Sequence, residues 1–155
     1  MDDKTRARIN KIYYEKYLPA YQALMSVYPF TLENLPGEIW KWIKNFEGRN
    51  KISNYGRVKT FNRQGVFIRK PFVDKNGYLM IKLNLNCRHQ HFSILRLVAE
   101  AFVANPLNLP EVNHEDGIKF NCYFENLVWT THKKIFNTLL KPVYKSLAQN
   151  PDRLS

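Results

Sequence analysis

Closely spaced turn signals between residues 38 and 91 constrain the fold of this chain more than any other feature, because they leave room only for short strands. The first signal is Asn54-Tyr55-Gly56, in which Asn and Gly tolerate positive φ angles. Lys51–Ser53 and Arg57–Thr60 flank this turn. Both flanking segments are predicted to be strands.

A second turn, Asp74-Lys75-Asn76-Gly77, carries a strong hairpin signal. Phe67–Val73 and Tyr78–Leu85 flank it as predicted strands. In the latter segment side chains alternate between apolar positions and more polar ones, which is typical of a strand with one buried and one wet face. The buried face is expected to consist of Leu79, Ile81, Leu83 and Leu85, and the wet face of Met80, Lys82 and Asn84.

Helical periodicity appears on both sides of this β region. Residues 3–28 place apolar side chains at steps of three and four, and Pro19 is expected to divide them into two short helices. These helices are interpreted either as packing or dimerisation elements or as an added DNA contact. Residues 93–103 form a further predicted helix, with Ser93 as its N-cap and Asn105-Pro106 as its stop.

Residues 111–141 carry the pattern on which the chemistry depends. Glu111–His114 is a predicted strand, Glu115-Asp116-Gly117 a turn, and Leu127–Thr130 a second strand. Thr131 is expected to cap a helix that runs to about Lys141. This order places His114 at a strand end, facing the first turns of that helix. Such an arrangement suits phosphodiester hydrolysis with one metal ion, in which a neutral histidine activates water beside a divalent ion.

Positive charge is concentrated in the middle of the chain. Residues 40–100 carry thirteen Lys or Arg against three Asp or Glu, whereas the two signs cancel in residues 1–39. A basic block of this density is the footprint expected for a polyanion partner, since each cation near a phosphate releases counterions. Interleaved aromatic residues favour nucleic acid over a merely solubilising surface.

Other features narrow the expected setting of the protein. No apolar run approaches the roughly 18 residues of a membrane span. The first ten residues begin acidic and lack the apolar core of a signal peptide. Two cysteines are too few for a disulfide framework. We therefore expect a cytoplasmic protein in a reducing compartment, with no membrane partner.

Three blocks of sequence follow one another in an order that is typical of a known family. They are Glu38–Lys41 with Phe46–Gly48 and Ser53–Lys59; Arg96–Phe102 with Asn105-Pro106; and Val112–Gly117 with Lys119, Asn121, Asn126-Leu127 and Trp129. The last block resembles the HNH module of phage and intron-borne homing endonucleases. The middle block resembles the helix that precedes that module, and the first resembles the NUMOD-type motif often found beside it. The resemblance covers about residues 37–134.

This resemblance implies a DNA endonuclease that nicks or cuts duplex DNA with one divalent ion, Mg²⁺ or Mn²⁺. His114 would be the general base, and Asn113 would be a metal ligand through its side-chain carbonyl oxygen. Asn121 and Asn126 would brace the loop and orient His114. The expected DNA contacts are Asn54, Arg57, Lys59, Arg63, Lys70 and Arg96.

Two positions depart from the family's pattern. Ile135 stands where the family usually has an asparagine ligand, and Leu95 stands where a histidine is common. His132, one helical turn before Ile135, is the better replacement metal ligand, because Asn137 is expected to face away. The departures keep a second interpretation open, in which a catalytically degenerate HNH-fold protein without a metal acts as a DNA binder, repressor or inhibitor.

A zinc module is a third interpretation, with Cys87, His89, His91 and Cys122 as ligands. These residues lack the paired Cys-x-x-Cys spacing of common zinc sites, which disfavours this interpretation. His89 and His91 are interpreted instead as polar turn and strand residues near phosphates.

The sequence as a whole predicts an α+β fold with an N-terminal helical extension, a small antiparallel β region and a C-terminal ββα-metal module. The expected divisions are a helical extension and linker at 1–36, a basic NUMOD-like β region at 37–91, the HNH module at 92–141 and a short tail at 142–155. Double-stranded DNA is the expected partner. The sequence does not determine whether the protein is a monomer or a homodimer.

Overall fold

The computed structural model describes residues 2–131 and has the predicted α+β character, with a helical N-terminus followed by antiparallel sheets. Two α-helices at the N-terminus are joined by a π-helical turn, and a third helix follows the first two sheets. A single turn of 3-10 helix lies between the last two strands. The helical elements are α1 (Asp3–Ile12), the π turn (Tyr13–Tyr17), α2 (Leu18–Val27), α3 (Ile94–Phe102) and the 3-10 turn (Phe124–Asn126).

The strands form three antiparallel sheets, and in each sheet neighbouring strands are consecutive in sequence. The first sheet consists of β1 (Trp40–Trp42), β2 (Asn50–Ser53), β3 (Val58–Asn62) and β4 (Gly65–Ile68). The second consists of β5 (Phe72–Val73), β6 (Leu79–Leu85) and β7 (Arg88–Ser93). The third consists of β8 (Glu111–His114) and β9 (Leu127–Thr130).

Alternation along β6 gives the second sheet its buried face. Leu79, Ile81 and Leu83 are almost fully buried, whereas Lys82 and Asn84 are exposed. The buried face joins a core built from α3, β2, β3 and β9. Ser93 caps α3 as predicted, because its hydroxyl accepts a hydrogen bond from the backbone N–H of Arg96 at 3.2 Å. One cluster of buried side chains thus contains residues both before and after position 92. The division into a β region at 37–91 and an HNH module at 92–141 stays a prediction.

The segment predicted as one strand, Phe67–Val73, is divided between two sheets. Gly65–Ile68 pairs with β3, and Phe72–Val73 pairs with β6. Buried Pro71 lies at the crossover, where a residue without a backbone N–H cannot continue a ladder. The prediction of a single strand was therefore wrong, and proline is the physical reason.

Pro19 does not break the N-terminal helix where the sequence predicted. The interruption is the π turn at Tyr13–Tyr17, and Pro19 lies in the first turn of α2. A proline is tolerated there because the first N–H groups of an α-helix have no partner within the helix.

The predicted helix from Thr131 to Lys141 lies outside the described residues, apart from Thr131 itself. Within residues 2–131, no helix is both long and apolar enough to span a bilayer.

Candidate active site

His114 lies at the end of β8, where its backbone pairs with Leu127 of β9. The imidazole is half-buried, and the Tyr78 ring lies nearly parallel to it, with the ring centroids 6.2 Å apart and an interplanar angle of 16°. Among the described residues, nothing forms a hydrogen bond with the buried Nε2 atom of His114. A buried polar atom without a partner is rare in a folded protein, and it often marks a site of chemistry.

The surroundings of His114 favour the neutral imidazole. Burial lowers the pKa of His114 below its ordinary 6.5, and the nearby positive charge of Lys119 acts in the same direction. The carboxylate of Asp116 opposes them by raising the pKa, but the net effect is a decrease. At neutral pH the imidazole is therefore uncharged, and its Nε2 atom has no hydrogen-bond partner among residues 2–131.

The loop after His114 is organised around the exposed carboxylate of Asp116. Asn121 donates from Nδ2 to Asp116 Oδ2 at 2.7 Å, and Asn126 donates from Nδ2 to Asp116 Oδ1 at 3.0 Å. The Asn126 side chain also accepts from the Asp116 backbone N–H at 3.1 Å. Hydrogen bonds led by the one from Asn121 lower the pKa of Asp116. We call His114 and the loop from 115 to 126 the His114 loop.

Lys119, for which the sequence predicted no separate role, contacts the rest of this site. Its ammonium group donates to the Asn76 carbonyl at 2.6 Å and lies 4.7 Å from the centre of the Tyr78 ring. Tyr78 and Lys119 therefore belong to the surroundings of His114. Their positions depend on contacts between two turns that are far apart in the sequence, one with Asn76 and one with Lys119. No local sequence pattern could have shown these contacts.

The predicted metal ligands are only partly described. Asn113 is exposed on β8, where its amide oxygen fits a single ligand to a hard cation. His132 lies outside the described residues. Within residues 2–131, no three His, Cys, Asp or Glu side chains cluster as a metal site. The described part of the site thus supplies one candidate ligand for a divalent ion, Asn113, and does not supply a complete set of metal ligands.

The zinc interpretation finds no support in the positions of its four residues. Cys87 is exposed in the turn between β6 and β7, while Cys122 is buried in the core, where burial raises the pKa of its thiol to about 12. His89 and His91 are exposed on β7. The structure therefore does not bring these side chains together.

Arg57 and Asn54 require a correction, because both are buried rather than exposed to DNA. Arg57 is only 2% exposed and forms an ion pair with Glu38, whose carboxylate accepts from Arg57 Nε at 2.9 Å. Its guanidinium also donates to three backbone carbonyls of the linker before β1. We call these groups the Arg57 clasp: Arg57, Glu38 and the carbonyls of Pro29, Thr31 and Glu33.

Asn54 is 4% exposed and ties the turn after β2 to the start of β1. Its side chain accepts from the Ile39 N–H at 2.9 Å and donates to the Gly37 carbonyl at 3.1 Å. Asn54 and Arg57 therefore hold the scaffold in place, and the prediction that their side chains contact DNA was wrong.

The other predicted DNA contacts differ in how accessible they are. Arg63 and Lys70 are exposed. Lys59 is partly buried above the Trp40 ring at 4.0 Å, and burial lowers its pKa. Arg96 is half-exposed but already engaged, since it forms an ion pair with Glu100 at 3.0 Å and donates to a backbone carbonyl.

A basic and aromatic surface of the first sheet adds residues that the prediction did not name as contacts. Lys51 lies 4.6 Å from the Trp42 ring and 5.8 Å from the Phe61 ring. Strand register places these three side chains on the face opposite the core. The interleaving of basic and aromatic residues was the signal in the sequence that pointed to this surface.

Comparison with known proteins relates this architecture to one group of enzymes. The NUMOD4 motif matches residues 38–84. An uncharacterized HNH endonuclease of Acanthamoeba polyphaga mimivirus is 36% identical over 110 residues, which cover 63% of this chain and 33% of that protein. The DNA endonuclease I-HmuI of Bacillus phage SP01 is 36% identical over 94 residues, which cover 61% of this chain and 53% of that protein.

A solved structure described as "DNA binding and cleavage by the HNH homing endonuclease I-HmuI" matches with a TM-score of 0.58 at 33% identity. The match covers 66% of this chain and 57% of that one. This chain thus spans one third of the first of these two curated relatives and about half of the second.

Proposed function

We propose, from the premise that this chain is an HNH endonuclease relative carrying a NUMOD4 motif, that it hydrolyses a phosphodiester bond of DNA. The observation that carries the proposal is the buried Nε2 atom of His114 at the end of β8, which has no hydrogen-bond partner among the described residues. A general base needs a lone pair that no other group occupies, in a site where the neutral form prevails. His114 meets both requirements.

In the proposed reaction, the His114 imidazole takes a proton from the water that attacks the scissile phosphorus. The stacked ring of Tyr78 limits rotation of the imidazole, and the His114 loop fixes the backbone on which it stands. Asn121 and Asn126 act on this geometry through Asp116, which both of them bind. They are therefore positioning residues.

One divalent ion, Mg²⁺ or Mn²⁺, would stabilise the charge that develops on the phosphate oxygens. Asn113 would supply one ligand, and His132 is the candidate for a second. Magnesium sites commonly combine one or two protein ligands with waters and substrate phosphate, so a sparse protein set is compatible with this role.

Double-stranded DNA is the proposed substrate. Exposed Arg63 and Lys70, together with Lys51 and Lys59 on the first sheet, would contact phosphates. Such contacts place the duplex without reading its sequence. The antiparallel pair β8–β9 would then present His114 to one strand, as part of a ββα-metal module completed by residues after 131.

A second candidate function is a DNA binder, repressor or inhibitor that has lost cleavage. Ile135, which stands where the family usually has an asparagine ligand, favours it together with the uncharged side chain of Asn113. Both candidates predict salt-sensitive DNA binding, and they differ only in turnover.

Nicking of supercoiled plasmid with Mg²⁺, Mn²⁺ or EDTA distinguishes them. We expect metal-dependent nicking that falls by about 10²–10⁴-fold in His114→Ala, because the base acts in the transition state. DNA affinity should change little. Gln22→Ala is the control, since it removes an exposed side chain of α2 outside the His114 loop. If no metal supports nicking while DNA is still retained in a gel shift, the degenerate binder is correct.

A further inference from the structure

The N-terminal helical segment is attached to the second sheet at two points. The Tyr21 hydroxyl donates to the Pro71 carbonyl, just before β5. The Tyr17 ring lies against Gly77, where a Cβ atom would overlap the ring. Tyr21 and Leu24 also pack against the hydrophobic core. The segment from Tyr17 onward is therefore docked on the body of the protein.

This docking brings the end of the π turn to the edge of the candidate active site. The Lys119 ammonium lies 5.5 Å from the Tyr17 ring centre and 4.7 Å from that of Tyr78. Tyr78 is in turn stacked on His114. A duplex seated over His114 would thus pass close to the point from which α1 extends.

Helix α1 differs from the docked segment because none of its residues is buried. It carries four exposed cations, Lys4, Arg6, Arg8 and Lys11, in ten residues. The two ion pairs found among residues 2–131 lie elsewhere and use none of these cations. A short, polar helix of this kind has little stability of its own in water, which favours a surface that a charged partner covers.

Helical geometry sorts these cations into two sets. Lys4, Arg8 and Lys11 follow i, i+4, i+7 spacing and share one face, with neighbouring Cβ atoms about 5–6 Å apart. Arg6 lies about 200° around the helix from Lys4, at 3.6 residues per turn. The helix therefore presents a three-cation stripe on one side and a single arginine on the other.

We propose that α1 is a phosphate-binding arm, whose stripe of Lys4, Arg8 and Lys11 contacts the DNA duplex beside the phosphate held at His114. This inference rests on the proposed function, since it assigns the arm to the same DNA. The choice of occupant follows from charge complementarity, and from the position of the Tyr17 end of the segment next to Lys119. It extends the DNA-binding surface beyond the segment matched by the NUMOD4 motif, 38–84.

The test compares two variants by the salt dependence of duplex DNA binding. In K4Q/R8Q/K11Q, glutamine keeps helix propensity while removing charge. We expect the slope of log affinity against log salt concentration to shrink by about 0.9 for each lost phosphate contact, or about 2.7 in total. The matched control R6Q, which removes a cation from the opposite side of α1, should leave the slope nearly unchanged.

A slope in K4Q/R8Q/K11Q equal to that of the wild type, which itself binds DNA, would overturn the arm and leave the proposed function standing. If the slope decreases by the same amount per removed charge in both variants, the proposal is also overturned, because the effect would then be one of net charge. Loss of a dimer in sedimentation, with an unchanged slope, would make α1 a self-association surface instead. If the wild-type protein neither binds nor nicks duplex DNA, the proposed function itself fails.

Discussion

The Arg57 clasp and the His114 loop are both dense clusters of polar groups, yet they differ in how completely those groups are paired. In the clasp, a buried guanidinium donates to one carboxylate and three carbonyls. In the loop, the amides of Asn121 and Asn126 are paired with Asp116, but the buried Nε2 of His114 is not paired with any described residue.

This difference separates a structural role from a chemical one. A buried charge must be paired to be tolerated, and a fully paired arginine has no donor left for a phosphate. A histidine that keeps an unpaired, buried nitrogen forgoes stability in a place where a substrate or water could supply the missing partner. The clasp therefore belongs to the scaffold, and the loop to the candidate reaction.

Removing Arg57 should have the largest effect on stability. Arg57→Ala leaves the Glu38 carboxylate buried without its partner, and breaking a buried pair costs about 3–5 kcal/mol in the free energy of unfolding. Urea unfolding followed by circular dichroism measures this loss. Arg63→Ala, at an exposed arginine, should stay within about 0.5 kcal/mol of wild type. A loss below about 1 kcal/mol in Arg57→Ala would contradict the scaffold role.

Removing the side chain of Asn126 should have a smaller effect on stability, but it should also lower the rate of nicking. Asn126→Ala loses side-chain hydrogen bonds with Asp116 and with the Asn121 carbonyl, so we expect a loss of about 1–2 kcal/mol in unfolding free energy. Plasmid nicking should fall while the salt slope of DNA binding is retained. Asn84→Ala, at an exposed strand position, is the control. If Asn126→Ala nicks at the wild-type rate, the hydrogen bonds of Asn126 do not position His114 for the reaction.

The smallest expected effect concerns pH. Because burial lowers the pKa of His114 below 6.5, the base form persists as pH falls through 6.5, and nicking should decline only at lower pH. The lowered pKa of His114 also makes the free energy of unfolding depend on pH. The contribution of His114 to stability is fully present above its pKa in the unfolded state, and it is lost as pH falls through its lower pKa in the folded state.

Lys119→Gln removes a charge that lowers this pKa, so the decline in single-turnover nicking should begin at higher pH than in wild type. Lys75→Gln, at an exposed position of the turn between β5 and β6, should leave the profile unchanged. A shift to lower pH in Lys119→Gln would contradict the assignment of His114 as the titrating base.

Local structure could be predicted from the sequence where neighbouring residues determine it. The strands Glu111–His114 and Leu127–Thr130 have the predicted bounds, and Ser93 caps α3, because turns and helix caps are determined by residues close together in the sequence. The family resemblance was also confirmed, since it rests on ordered motifs.

The environment of each site residue could not be predicted in the same way. Arg57 was assigned to DNA because a basic residue in a basic block looks the same whether it faces phosphates or carbonyls. Its partners lie 19 to 28 residues earlier in the chain, and most of them are backbone atoms that carry no signature in the sequence. The stacking of Tyr78 on His114 likewise depends on contact between the turn before β6 and the end of β8, which are far apart in the sequence.

The clasp also has a consequence for the order of events during synthesis, when the N-terminal part of a chain emerges from the ribosome first. The carbonyls of Pro29, Thr31 and Glu33 emerge 24 to 28 residues before the arginine that binds them. Until Arg57 follows, the linker after the helices lacks its anchor. The helical segment therefore takes up its final orientation only after residues that are made later, Arg57 among them, have emerged.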